Sequence, residues 1–247
     1  MIINDSHIHV GQFYAKYYSP EFISNFISTL KIKNALVSST TTCEENYEKV
    51  IVEIKKLISF KGDQIFPVLW ITPKMISSGK LSLLLTSGIE WKCLKIHGFI
   101  HNWPPNGKLF KQVIALALNL KIPILIHSGG DKKCDASSYF KVIEKHPQQQ
   151  FILAHGRPIE QAINVLNQCS NAWVDTAFMP IEDIKRLDSK GYIDKVLFGT
   201  DFPITIYNDK DLSDTDWYQN RISEIINTIG ITKFKKISEE NFNKLFC

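Results

Sequence analysis

The sequence predicts an α/β fold, a single (β/α)8 TIM barrel spanning residues 1–247 as one domain. Short apolar runs recur eight times along the chain, and longer amphipathic segments separate them. The length of 247 residues is close to the roughly 250 residues of a one-domain barrel. An open doubly wound sheet is the main alternative. Its first turn normally carries G-x-G-x-x-G, which "DSHIHVGQF" lacks.

The eight apolar runs have the length of strands, and their nearly continuous apolar character is typical of parallel strands covered by helices. They are "MIINDSHIHV" (1–10), "NALVSST" (34–40), "IFPVLWIT" (65–72), "WKCLKIHG" (91–98), "IPILIHSG" (122–129), "FILAHG" (151–156), "AWVDTAF" (172–178) and "KVLFGTDFP" (195–203). No linker rich in Gly, Pro or Ser divides the series.

The segments between the runs place apolar residues three and four positions apart, as one buried face of a helix requires. Examples are "EFISNFISTLKI", "NYEKVIVEIKKLISF", "LFKQVIALALNL" and "SSYFKVIEKH". Pro20, Pro158 and Pro180 are predicted to lie in the first turns of helices. The alternation of strand and helix therefore favours a repeated strand-helix unit.

Composition and charge argue against several classes of function. The net charge of +4 is spread along the chain, which indicates a solvated surface rather than a nucleic-acid interface. The five cysteines are scattered and never form C-x-x-C, so neither a disulfide framework nor a thiolate zinc site is expected. No run approaches the roughly 18 apolar residues of a membrane span, and no signal-peptide pattern is recognisable. We therefore expect a cytoplasmic protein whose partner is a small-molecule substrate, without nucleic acid or membrane.

Histidine, lysine and aspartate side chains concentrate where the predicted strands end. In chain order they are His7 and His9 at the end of the first run, Lys95 and His97 at the end of the fourth, His127 at the end of the fifth, His155 at the end of the sixth and Asp201 at the end of the eighth. Five of the seven histidines would thus lie at one rim of the barrel, where barrel enzymes place their functional groups. Because alternate residues of a strand share a face, Asp5 would join the first two histidines.

These residue types at one rim favour a metal site. An H-x-H pair alone is more often structural or exposed than a ligand pair, but further imidazoles and a carboxylate complete a good set for a zinc-like ion. Such an ion lowers the pKa of bound water from about 15.7 towards about 7. A neighbouring carboxylate can then take the proton.

With these motifs the sequence resembles the amidohydrolase superfamily, specifically the amidohydrolase-related branch that includes aminocarboxymuconate-semialdehyde decarboxylase. The resemblance covers nearly the whole chain, and it depends on the order and spacing of motifs that are individually weak. They are "DSHIHVG", "LKIHG", "ILIHSGG", "FILAHGR", "WVDTAF", "LFGTDFP" and a closing "NFNKLF" helix.

The resemblance implies one divalent ion, zinc before manganese or iron. The implied ligands are His7, His9, His127 and Asp201. His155 would orient or polarise the bound water or substrate, and Asp201 would double as the catalytic base. In two-metal members a strand-four lysine is carbamylated and bridges the ions; Lys95 could do so, but "KIH" resembles the one-metal branch more. An unmodified Lys95 would repel a second cation or bind an anionic substrate.

Further side chains are candidates for substrate binding. They are Tyr14, Lys95, His97, Trp103 and Arg157. The aromatic residues of the loops after the strands either line a pocket or pack on the barrel rim; besides Tyr14 and Trp103 they are Phe13, Tyr17, Tyr18, Phe99 and Phe178. Arg157 either clamps a substrate carboxylate or is an ordinary exposed arginine. Asp175 is either a buried partner of a neighbouring strand or a helix N-cap, and His101 and His146 are expected at the surface.

The leading functional hypothesis is a metal-dependent hydrolase that directs ion-activated water at a small amide, ester or lactone. One alternative is non-oxidative decarboxylation of a small aromatic or unsaturated carboxylic acid. Another is a non-catalytic ligand-binding barrel. The chain is near the minimum length for eight strand-helix units, so we expect an open pocket or one completed by a second copy in a homodimer.

Overall fold

The eight predicted runs form the parallel strands of one curled sheet. The computed structural model describes residues 1–206 and 213–247. Its strands are β1 (Asn4–Phe13), β2 (Lys16–Tyr18), β3 (Asn34–Ser39), β4 (Ile65–Trp70), β5 (Cys93–Ile96), β6 (Ile124–His127), β7 (Phe151–Ala154), β8 (Ala172–Asp175) and β9 (Val196–Leu197). They lie in the order β2-β1-β3-β4-β5-β6-β7-β8-β9. All strands except β2 pair in parallel, which confirms the predicted α/β barrel.

Backbone hydrogen bonds join the end of the sheet back to its beginning. The amide of Ser6 donates to the carbonyl of Phe198 at 2.9 Å, and the amide of His9 donates to that of Phe202 at 2.7 Å. The amide of Asp201 donates to the carbonyl of His7 at 2.7 Å. β9 itself is shorter than the predicted run because the chain beyond it meets β1 through these separate contacts. They bring Asp201 beside the two histidines of β1.

Helices follow most strands and cover the outside of the sheet. They are α1 (Pro20–Thr29), α2 (Tyr47–Lys61), α3 (Pro73–Ser77), α4 (Leu81–Leu85), α5 (Gly98–His101), α6 (Lys108–Leu120), α7 (Phe140–Glu144), α8 (Ile159–Gln168), α9 (Ile181–Ser189), α10 (Asp214–Ile229), α11 (Ile231–Lys235) and α12 (Asn241–Phe246). None of the helices in the described ranges is long and apolar enough to cross a membrane.

The starts and lengths of some helices differ from the sequence predictions. Pro20 is the first residue of α1, as predicted, but Pro158 and Pro180 cap α8 and α9 from one position outside. The segment "SSYFKVIEKH" forms a 3₁₀ turn and only five residues of helix in α7. Pro147 limits this helix, since a proline disfavours helical backbone at the residue before it.

Because the side chains of a strand alternate between its two faces, the core consists of two apolar clusters. The inner one fills the barrel below the polar rim and comprises Leu36, Val68, Cys93, Leu125, Ile152, Ala154, Trp173, Leu197 and Phe242. Phe242 belongs to α12, so the predicted closing "NFNKLF" helix contributes to the barrel interior. The alternate strand residues pack outward against the helices.

A register irregularity in β1 changes which side chains share a face. Pairing with β3 shifts between Asp5 and Ile8, and a shift of this kind reverses the alternation of side chains. Asp5 therefore does not join the histidines as expected: its Oδ2 accepts from Thr200 Oγ1 at 2.7 Å, and its Oδ1 accepts from the amide of His7 at 3.0 Å. Burial raises the pKa of Asp5 to about 7.

Candidate metal centre

Three buried donor atoms meet where the middle of β1 lies beside the chain that follows β9. Oδ1 of Asp201 lies 3.0 Å from Nε2 of His7 and 2.7 Å from Nε2 of His9. All three side chains are almost completely buried. Two imidazole nitrogens and a carboxylate oxygen at these distances require a cation or protons between them. The donor set fits a zinc-like divalent ion.

Asp175 orients the ring of His7. Its Oδ2 lies 2.8 Å from His7 Nδ1, while its Oδ1 accepts from the amides of His155 and Ala177 at 2.8 and 3.1 Å. A carboxylate only accepts, so His7 Nδ1 carries the hydrogen and Nε2 presents its lone pair to the donor centre. Of the two roles that the sequence left open for Asp175, the structure therefore shows the buried partner and not the helix cap.

His9 is held by the neighbouring strand. Its Nδ1 lies 2.9 Å from Oγ of Ser38 on β3, and its ring lies 5.8 Å from that of Trp70 on β4. Burial lowers the pKa of His9 to about 3, the charge of Lys95 adds to the effect, and the bond to Asp201 opposes it. At neutral pH the ring is therefore neutral, which is the form that binds metal ions.

The backbone of Asp201 is in the left-handed region, with φ of +59°. Aspartate tolerates this conformation better than most residues, and here it aims the carboxylate at β1. Burial acts to raise the pKa of this carboxyl, but its interactions with His7, His9 and His155, among them the hydrogen bond from His9, outweigh burial and hold the pKa well below its usual range. Asp201 is thus ionised at neutral pH.

His127 and His155 form a hydrogen-bonded pair beside the donor centre. His155 Nδ1 lies 3.0 Å from the carbonyl oxygen of Ala177, so this nitrogen donates. Its Nε2 then accepts from His127 Nδ1 at 3.1 Å. Burial lowers the pKa of His127 to about 2 and that of His155 to about 4. Within residues 1–206 and 213–247, the donor group around Asp201 contains no nitrogen of His127, so its role as fourth ligand stays a prediction.

Lys95 lies within the donor centre. Its Nζ is 2.7 Å from His7 Nε2 and 3.1 Å from His9 Nε2, and it lies 4.7 Å from the ring centroid of Trp70. The residue is 2% exposed, and burial lowers its pKa. The sequence predicts Lys95 as a substrate-binding residue; its nearest contacts are the two histidines, but it also lines the adjoining cavity, so this role stays a prediction.

A cavity of about 570 Å³ adjoins the donor centre. The predicted site residues in its lining are His9, Tyr14, Lys95, His97, His127, His155, Arg157 and Asp201. Aromatic side chains complete the walls; besides Tyr14 they are Phe13, Trp70, Phe99 and Phe178. Tyr14, Phe99 and Phe178 are partly exposed, so they form the mouth of the cavity.

Arg157 presents a positive charge to this cavity and forms no direct ion pair with a carboxylate in the described residues. Its guanidinium lies 5.8 Å from the ring centroid of Phe178, and its Nε is buried without a hydrogen-bond partner in the described structure. A buried donor of this kind is costly unless a ligand or water satisfies it. The sequence left open whether Arg157 is an exposed arginine; the structure shows it half-buried at the cavity wall.

His97 caps α5 and stacks between two rings. Its Nδ1 accepts from the amide of Ile100 at 3.2 Å, and its ring lies 3.7 Å from that of His127 and 5.4 Å from that of Trp70. His101, expected at the surface, is instead partly buried with its ring 6.1 Å from that of Trp70. These contacts make α5 one wall of the cavity.

Trp103 lies elsewhere. It is buried against Phe110, at 6.4 Å between ring centroids, and it lines a second cavity on the far side of α5. The chain turns at Asn102, whose φ is +44°, immediately before Trp103. This left-handed residue ends α5 and carries Trp103 away from the donor centre.

Solved structures of low sequence identity share the whole fold. A probable 2-pyrone-4,6-dicarboxylic acid hydrolase from Acinetobacter baumannii, with citric acid bound, is 13% identical with a TM-score of 0.72, and the match covers 100% of this chain and 99% of that one. A 2,6-dihydroxybenzoate decarboxylase with 2,6-dihydroxybenzoate is 11% identical with a TM-score of 0.69, covering 100% and 98%. An amidohydrolase from Burkholderia multivorans with bound zinc is 8% identical with a TM-score of 0.68, covering 100% and 99%.

At these identities the solved structures show the fold, and no curated protein matches the sequence. The family model described as Amidohydrolase matches residues 35–246. This range contains the motifs of His127, His155 and Asp201 but not "DSHIHVG", so the structure alone places His7 and His9 in the site. The chain belongs to the amidohydrolase family and is an amidohydrolase-like enzyme of the TIM-barrel fold.

Proposed function

We propose that the protein is a metal-dependent hydrolase of a small amide, ester or lactone. The observation that carries this proposal is the convergence of His7 Nε2, His9 Nε2 and Asp201 Oδ1 beside a cavity of about 570 Å³. His7, His9 and Asp201 would hold one divalent ion, zinc before manganese or iron, with His127 as a fourth ligand. A bound ion supplies a Lewis acid and lowers the pKa of its water towards about 7.

The protein side chains provide the proton transfer and the binding. Asp201 is ionised, and with Oδ1 directed at both histidines its other oxygen is the base for the attacking water. His155 Nε2 lies beside the centre, where it accepts from His127 Nδ1 and so orients the ring of the proposed fourth ligand. The aromatic walls exclude water and take up the apolar part of the substrate.

A second candidate, non-oxidative decarboxylation of a small aromatic or unsaturated carboxylic acid, is favoured by Arg157 and the walls around it. An arginine facing a cavity without an acidic partner suits a carboxylate. The dihydroxybenzoate decarboxylase shares the fold. Family membership disfavours the third possibility, a non-catalytic ligand-binding barrel.

Substrate panels separate the two reactions. Zinc-loaded and chelator-treated enzyme should be offered lactones, amides and esters in one set and aromatic carboxylic acids in another, with carbon dioxide followed in both. We expect hydrolysis by the loaded enzyme only. Carbon dioxide release without hydrolysis would replace the hydrolase by the decarboxylase.

A further inference from the structure

Lys95 and a divalent ion both need the lone pair of His7 Nε2. Because His7 Nδ1 donates to Asp175, the neutral ring has a single lone pair left, on Nε2. Lys95 Nζ lies 2.7 Å from this atom and 3.1 Å from Nε2 of His9. A lone pair that accepts from an amine hydrogen cannot also bind a metal ion.

The absence of an ion pair between Lys95 and Asp201 in the described part of the chain supports this interpretation. Lys95 pairs with no carboxylate within the described ranges, although Asp201 contacts the same two nitrogen atoms. The lysine therefore satisfies the acceptor of His7, and the ring of Trp70 at 4.7 Å provides a further contact. A cationic side chain at this place stabilises the cluster of acceptors when no ion is bound.

We propose that Lys95 competes with the divalent ion for Nε2 of His7, and that it must leave this atom before the ion binds. The side chain thus keeps the metal-free centre intact and lowers its metal affinity. Since Lys95 can compete only where the donor group binds an ion, the inference depends on the proposed function.

The main test is the zinc affinity of Lys95→Leu, measured by competition with a chelating dye. Leucine removes the charge and the donor without adding a metal ligand. A charge-assisted hydrogen bond is strong enough that we expect binding about 10- to 100-fold tighter than in the wild type. Lys95→Arg, which keeps a cation, should bind zinc about as weakly as the wild type.

Lys92→Leu is the matched control. Lys92 lies just before β5 and forms a surface ion pair with Glu90, so its loss changes the net charge equally and should leave zinc affinity unchanged. Equal or weaker zinc binding by Lys95→Leu would overturn the inference, the weaker result indicating that Lys95 supports the ion. Failure of both the wild type and Lys95→Leu to bind zinc would instead refute the metal centre itself.

A second measurement uses the wild type and does not depend on a variant that folds. Loss of the contact with His7 Nε2 should free the amine, so acetylation of Lys95 by a small reagent should be faster in the zinc-loaded protein than in the metal-free protein. Peptide mass spectrometry reports this rate, with Lys92 as the internal reference. An unchanged or slower rate on zinc loading would contradict displacement.

Discussion

Oδ2 of Asp175 lies 2.8 Å from Nδ1 of His7, although 168 residues separate them in the sequence. This contact crosses the closure of the barrel from β8 to β1. It fixes which nitrogen of His7 carries the hydrogen and therefore which nitrogen faces Asp201. The closure of the barrel thus determines that His7 presents the lone pair of Nε2 to the proposed metal centre.

Asp175→Asn should reverse the tautomer of His7. The side-chain oxygen of the variant can still accept from the backbone N–H groups of His155 and Ala177. Its NH₂ group then faces His7 Nδ1. The hydrogen of His7 moves to Nε2, and we expect zinc affinity to fall about 10- to 100-fold. Dye competition measures the change. Wild-type affinity in this variant would show that Asp175 does not set the tautomer.

Loss of either histidine of β1 should remove the ion without unfolding the barrel. His7→Ala and His9→Ala each delete one of the three converging donors. We expect no stoichiometric zinc, no activity, and a circular dichroism spectrum like that of the wild type. His146→Ala, which removes a histidine bonded to the carbonyl of Val142, serves as control and should keep both zinc and activity. Retained zinc in the double variant His7→Ala/His9→Ala would contradict the assignment.

The metal-free protein should lose stability in mild acid. Burial lowers the pKa of His9, His127 and His155 to about 3, 2 and 4, below the ordinary 6.5. Between pH 6.5 and about 4 the unfolded chain therefore binds protons that the folded protein does not, so stability falls as the pH falls. Asp5, with a pKa near 7, acts in the opposite sense, but it is one group against these three and against His97 and His101, whose pKa burial also lowers. Urea unfolding should show lower stability at pH 5 than at pH 7, and equal stability would be inconsistent with neutral buried rings.

Arg157→Met should weaken binding of carboxylated substrates alone. The variant loses the cation that faces the cavity, and a charge-assisted hydrogen bond of about 1.5–3 kcal/mol corresponds to a rise in KM of roughly 10- to 100-fold. Zinc affinity and the KM of uncharged substrates should not change. Arg186→Met, at an exposed ion pair with Glu160, is the matched control. An equal rise in KM for charged and uncharged substrates would argue against a carboxylate site.

Gly11→Ala should destabilise the end of β1. Gly11 has φ of +100°, and an added Cβ would lie 2.5 Å from Thr41 Oγ1 and 2.9 Å from Glu53 Oε2. We expect a loss of about 1–3 kcal/mol in the free energy of unfolding. Gly191→Ala is the control, because its φ is +80° but no atom lies within 4 Å of the added Cβ. Equal losses in urea unfolding would show that backbone strain alone is responsible.

The barrel and its polar rim were predictable because they depend on local pattern. Apolar runs of strand length and the positions of His127, His155 and Asp201 at their ends can be read from neighbouring residues. The hairpin between β1 and β2 and the displacement of Asp5 were not predicted. Both depend on pairing register, which the alternation of one strand does not determine.

The contacts that support the site could not be predicted from the sequence either. Ser38 on β3 and Trp70 on β4 contact His9, and neither residue type signals such a role. Lys95 was identified as a candidate, but its approach to both histidines depends on the curvature that brings β5 towards β1. Residues on strands that are far apart in the sequence come into contact only when the barrel closes.

Anomalous diffraction from a zinc-soaked crystal tests the metal centre most directly. We expect one peak per chain, within bonding distance of Nε2 of His7, Nε2 of His9 and a carboxylate oxygen of Asp201, with Lys95 Nζ displaced from His7 Nε2. Full zinc occupancy at another place, or no peak between these three side chains, would contradict the account.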